Sequence, residues 1–87
     1  MSYVIGVDGG TESIRAFVFD LDGRPVASVA TPYATDFPNP SWAEQNPDVW
    51  WSAMAQSVKG ALAKSGVSAK DIAALCVDTP CCSVVAL

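Results

Sequence analysis

Two glycines stand side by side at Gly9-Gly10, and their flanks limit what the chain can build around them. Before them, Tyr3 to Asp8 is a short apolar run ending in an acid, the pattern of a buried strand. After them, Ile14, Ala16 and Val18 alternate with Arg15, Phe17 and Phe19. That period of two predicts a second strand, with apolar character on both faces. A glycine pair between two strands reads as a hairpin turn. A P-loop is excluded, because it needs Gly-Lys-Ser/Thr and then a helix. A dinucleotide fingerprint is excluded too, because it needs a helix opening on its last glycine.

The turn Asp8-Gly9-Gly10-Thr11-Glu12-Ser13 carries backbone N–H groups and two hydroxyls, on Thr11 and Ser13. Such a concavity suits phosphate oxygens. Glycine lets the backbone approach a ligand closely, because no Cβ intervenes. Arg15 lies two residues beyond Ser13, so the two share a face of the strand and Arg15 can add positive charge. Asp8, at the strand end, is a candidate Mg²⁺ ligand, since that ion keeps its waters and takes one or two carboxylates. Spacing alone favours a plain hairpin with a capping Asp and solvated hydroxyls.

Further along, Asp22-Gly23 signals another hairpin turn. Val26, Val29 and Thr31 belong to a third strand, which completes an antiparallel meander. From Pro32 to Pro47 the prolines 32, 38, 40 and 47 predict a loop. A helix is expected from Pro47 to Ser65. Asn46 caps it, Pro47 takes its first position, Asp48 its first turn, Lys64 its last turn, and Gly66 stops it. Trp50, Met54, Val58 and Leu62 recur at helical spacing and predict its buried face, with Trp50 in the core. Ser68 and Asp71 resemble a capping box for one short turn. Ile72 to Val77 reads as a fourth strand ending at Asp78, and a fifth begins near Cys82. A helical crossover after the third strand favours a parallel neighbour in the sheet. The fold class is therefore α/β: a three-stranded antiparallel meander, a helix, then further strands.

Composition bears on what this layer is part of. The chain has 87 residues, 51% hydrophobic and only 16% charged. A chain this short buries a small share of its surface, so the apolar excess points to faces that pack against something more. Ser83 to Leu87 is an apolar run with no closing turn, and we expect the chain to be a piece of a longer protein. The net charge is −4, and Arg15, Arg24, Lys59, Lys64 and Lys70 are scattered. No basic patch can track a nucleic acid. No signal peptide and no apolar stretch near the ~20 residues of a membrane span is present. Cys76, Cys81 and Cys82 are odd in number, and adjacent Cys81 and Cys82 are poorly placed to bridge each other, which fits a reducing cytoplasm. The absence of His and of a CxxC argues against structural zinc.

Three segments carry a family resemblance. Ile5-Gly6-Val7-Asp8-Gly9-Gly10-Thr11-Glu12-Ser13-Ile14-Arg15-Ala16 resembles the Asp-x-Gly-Thr-x-Ser-x-Arg opening of FGGY carbohydrate kinases. Pro40-Ser41-Trp42-Ala43-Glu44-Gln45-Asn46-Pro47 is similar to that family's Pro-Gly-Trp-x-Glu-x-x-Pro segment, which likewise precedes a Trp-containing helix. Ile72 to Asp78 resembles the strand leading to the sugar site. The segments keep family order and spacing along essentially the whole chain.

The resemblance implies a ribonuclease-H-like, actin-like ATPase fold, of which residues 1–87 are the first part of the N-terminal domain. It implies ATP and Mg²⁺ as cofactors and transfer of the ATP γ-phosphate to a sugar or polyol hydroxyl. By position, Gly10, Thr11, Ser13 and Arg15 match residues at the ATP phosphates, and Asp8 matches the acid near Mg²⁺. Glu12 stands where several members have Thr, and must turn away from phosphate or meet the metal. In glycerol kinases the fourth strand is followed by an Arg-Glu pair holding the polyol. Cys81 and Cys82 occupy those places here, which argues against glycerol, while Asp78-Thr79-x-Cys81 resembles the Asp-x-Thr-x-Cys or Asp-Thr-Thr-Cys of a ribulokinase-like, ketopentose branch. Pro80 departs from that branch's pattern. Cys81 and Cys82 are candidates for sugar contact or for simple packing. Trp42 is a candidate for stacking on the sugar or for covering the sheet.

The family's catalytic Asp and adenosine pocket fall beyond Leu87. Residues 1–87 therefore hold no catalytic residue and are expected to be inactive alone. Full-length members leave room for a homodimer. The competing expectation is a non-catalytic actin-like nucleotide-binding or regulatory module, favoured by Glu12 and Pro80.

Overall fold

The computed structural model describes residues 2–10 and 12–78. The predicted Cys81, Cys82 and Pro80 positions, the fifth strand and Thr11 lie outside these. Strands β1 (Tyr3–Gly9), β2 (Ser13–Asp20) and β3 (Pro25–Pro32) form the expected meander. Helix α1 (Pro47–Ser65), a 3₁₀ turn (Ala69–Asp71) and β4 (Ile72–Asp78) follow. The sheet order is β3-β2-β1-β4. β1 pairs antiparallel with β2 and parallel with β4, so the crossover through α1 returns the chain beside β1.

Helix α1 starts and stops as its sequence dictates. The Asn46 side chain accepts from the Asp48 N–H at 3.0 Å, and the Gly66 N–H donates to Leu62 O at 3.1 Å. The 3₁₀ turn differs from expectation. It closes through Asp71 N–H to Ser68 O at 2.9 Å, and Ser68 makes no side-chain cap. Three residues offer too few free amides for a capping box to form.

The core lies between one sheet face and α1. Ile5, Val7, Ile14, Ala16 and Val18 fill it from the sheet. From the helix, however, the deepest residues are Ala53, Ser57 and Ala61, not the expected Trp50, Met54, Val58 and Leu62. Those four are half-buried and pack along the sides of the core. The reason is close approach. A Cβ on Gly60 would sit 3.1 Å from Val29 Cγ1, so small residues let the helix axis come down onto β2 and β3. The large side chains then reach past that stripe.

On the opposite face Phe17 and Phe19 stack, with ring centroids 5.5 Å apart. β4 extends beyond the helix. Its Leu75 and Val77 share register with core residues Ile5 and Val7 yet remain 46% and 47% exposed. These two side chains leave apolar surface exposed at the β4 edge of the sheet.

The proline-rich loop is pinned at mid-length. Asp36 and Glu44 exchange two backbone hydrogen bonds of 2.7 Å. At its tip Ser41 adopts φ 68°, the left-handed region that suits glycine. The resembling family segment has Gly at this place. Ser41→Gly should therefore raise stability by about 0.5–1 kcal/mol, relief of left-handed strain exceeding the added entropy of the unfolded chain. A rise in thermal midpoint would register it; a fall would show that Ser41 carries no strain.

Candidate functional site

β1 and β2 meet at the glycine turn. Their ladder runs to Gly9 opposite Ile14, and the Gly10 N–H then donates to Ser13 O at 2.8 Å. Glycine suits this closure. A Cβ there would lie 3.2 Å from that same Ser13 oxygen, a backbone atom with little room to give.

The turn is braced by a residue that the sequence reading passed over. The Tyr33 N–H donates to Glu12 O at 2.9 Å, and the Tyr33 hydroxyl donates to Gly10 O. The carbonyls of Gly10, Glu12 and Ser13 are thus all taken by internal donors. A site for an anion gains from this, because free carbonyl oxygens would repel it. Burial pushes the Tyr33 hydroxyl above its usual range, and the nearby Asp8 carboxylate pushes the same way. The hydroxyl accordingly stays protonated and remains a donor. The signal available in sequence was only position: Tyr33 follows β3, which runs beside β2.

Register sorts the predicted side chains. Asp8 pairs with Arg15 across β1–β2 and with Asp78 across β1–β4. A row Arg15–Asp8–Asp78 therefore crosses the sheet on the face away from α1, and all three are exposed. Ser13 begins β2, half-buried, and shares the face of Arg15. The Arg15 guanidinium lies 6.0 Å from the centroid of the Phe17 ring, on the same face. Glu12 is exposed. Gly10, Ser13, Arg15 and Asp8 thus gather at one end of the β1–β2 hairpin, while Thr11 lies outside the described residues.

For a divalent cation, Asp8 and Asp78 offer hard oxygen donors on adjacent strand ends, a donor set that fits Mg²⁺ retaining most of its waters. Among the described residues no group of three or more His, Cys, Asp or Glu forms a fuller cage.

Trp42 sits elsewhere, at the tip of the proline-rich loop. Its N–H donates to Asn39 O at 3.0 Å and its side chain is 56% exposed. It therefore does not cover the sheet. The loop is anchored by Gln45, whose amide donates to Thr35 Oγ1 at 2.7 Å and accepts from the Trp50 indole at 2.8 Å. Among the described residues no helix is long and apolar enough to cross a membrane.

Comparison with known proteins matches residues 3–87 to the FGGY family of carbohydrate kinases, N-terminal domain. A glycerol kinase of Delftia acidovorans is 41% identical over 75 residues, covering 86% of this chain and 15% of its own. Ligand-bound xylulose kinase from Lactobacillus acidophilus superposes with a TM-score of 0.82 at 28% identity, over 91% of this chain and 16% of that one. Xylulose kinase from Rhodospirillum rubrum gives 0.77 at 30% identity, over 86% and 15%. The chain thus spans about 15% of the length of the curated relatives it matches. The α/β layer is the part of the actin-like ATPase fold that these sugar kinases share.

Proposed function

The chain belongs to the FGGY family of carbohydrate kinases, and from that premise we propose that it serves as the opening part of a kinase N-terminal domain, holding the ATP phosphates during transfer to a sugar or polyol hydroxyl. The observation that carries this reading is the turn whose Gly10, Glu12 and Ser13 carbonyls are bound internally. Phosphoryl transfer asks a protein mainly for positioning and charge neutralisation. Gly10 admits the phosphates closely. Thr11 and Ser13 donate hydroxyls, and Arg15 supplies a fixed positive charge. Asp8 would hold the Mg²⁺ that accompanies ATP. Mg-ATP brings the transferable phosphoryl group and its activation.

The sugar is the finer question. The relatives above are named for glycerol and for xylulose. Cys81 and Cys82 stand where the resembling glycerol kinases place an Arg-Glu pair, so a ketopentose suits this chain better than glycerol. Trp42, exposed on its loop, is free to meet a ring from outside the sheet. Cytoplasmic location, with sugar as the small-molecule partner and no nucleic acid or membrane, accords with the scattered charge.

The test is ADP release by the full-length protein over ribulose, xylulose, ribitol, erythritol and glycerol. We expect the strongest release with a ketopentose and none from residues 1–87 alone. Strongest release with glycerol would overturn the reading of Cys81-Cys82. No sugar-dependent release at all would overturn the kinase reading and favour a binding module.

A further inference from the structure

We propose that Tyr33 is a positioning residue for the nucleotide phosphates, acting by holding both arms of the glycine turn in the conformation that receives them. The assignment rests on the phosphate-site reading above and deepens it. The two bonds come from one residue and reach opposite arms. Its hydroxyl donates to Gly10 O, on the arm leaving β1, and its backbone N–H donates to Glu12 O, on the arm entering β2.

These bonds fix peptide planes rather than side chains. In a planar trans peptide the N–H lies opposite the C=O. With Glu12 C=O turned to Tyr33, the Ser13 N–H faces the other side of the turn. The same hold keeps the Gly10 carbonyl from swinging into the space a phosphate would take. An unbraced turn of this kind would sample several orientations of these dipoles, and each bound anion would have to select one. The brace makes that selection in advance.

Tyr33 also reaches the turn from a separate support. It follows β3, whose Pro32 pairs with Ser13. Two residues on, Thr35 is tied through Gln45 to the Trp50 indole on α1. The hydroxyl is therefore delivered by a segment anchored to the helix and not by the turn itself.

The test compares Tyr33→Phe with the unaltered full-length protein. Phenylalanine keeps the ring and the backbone donor and removes only the hydroxyl bond. Calorimetry with Mg-ADP should give about three- to tenfold weaker binding, the range for loss of one hydrogen bond. KM for the sugar should stay within about twofold, and the urea unfolding midpoint should fall by no more than the loss of one part-buried hydrogen bond explains, a selectivity that a merely structural role would not produce. Amide exchange adds a readout independent of activity: the Gly10 N–H should exchange faster in the variant, while Val7 and Ala16 keep their rates. Unchanged Mg-ADP affinity together with unchanged Gly10 exchange would overturn the assignment. Parallel losses in nucleotide affinity, sugar KM and stability would overturn it as well, by making Tyr33 a general support. No nucleotide binding by the unaltered protein would instead overturn the phosphate-site reading on which it rests.

Discussion

Arg15→Ala in the full-length protein should lower kcat/KM for ATP by about 30- to 100-fold, or ~2–2.7 kcal/mol. Three observations set this expectation. Arg15 is exposed, so its loss leaves no buried hole and costs little stability. It lies on the face of β2 shared by Ser13, one residue pair from the turn. It has a described neighbour in Phe17, with the guanidinium 6.0 Å from the ring, a contact worth only a fraction of a kcal/mol at an exposed site. A large fall in ATP use with an unchanged unfolding midpoint therefore isolates the phosphate contact. Asp8 stands in register opposite Arg15 on β1, on the same face of the sheet. Arg15→Lys should recover part of the loss, because it restores charge without the planar fork that grips two oxygens. KM for the sugar should barely move. Unchanged ATP kinetics in Arg15→Ala would remove the hairpin from the mechanism.

The layout of the candidate site was legible in sequence wherever local pattern decides geometry. The alternation from Ile14 to Phe19 required a strand after Gly10, and the strand carried Ser13 and Arg15 to one face. Asn46, Pro47 and Gly66 bounded α1 at the residues found. What pattern misses is distance between elements. The spacing of Trp50, Met54, Val58 and Leu62 located the helix face correctly. It did not show that Ala53, Ser57 and Ala61 form its deepest line, because depth follows from how closely Gly60 lets the helix meet Val29. Tyr33 escaped for a similar reason. Nothing in Pro32-Tyr33-Ala34 announces a contact with Gly10, 23 residues earlier. The contact exists only because β3 lies beside β2. Ser41 shows the reverse case. The family resemblance marked Gly as the usual residue there, and the φ of 68° supplies the physical cause.

Ser57→Ala should destabilise the fold by about 1–3 kcal/mol, and the loss should be felt at the turn as well as in the core. Ser57 is fully buried, and its hydroxyl donates to Ile14 O at 2.9 Å. Its single proton is thereby committed, so the 2.7 Å contact with Thr31 Oγ1 has Thr31 as donor. One hydroxyl on α1 thus links β2 and β3 at the residue that follows Ser13. Alanine in its place leaves the Thr31 hydroxyl short of a partner under the helix, while the Ile14 carbonyl keeps its place in the β2–β3 ladder. Removing both hydroxyls, as Ser57→Ala with Thr31→Val, should cost less than the sum of the two single changes, because the Thr31 donor is no longer stranded. A coupling of about 1 kcal/mol is expected. Urea unfolding followed by tryptophan fluorescence measures the stability change, and Gly10 amide exchange measures its reach into the turn. Strict additivity would mean that Thr31 finds water once Ser57 is gone. An unchanged midpoint in Ser57→Ala would mean that the helix is held over the base of the turn by apolar packing alone.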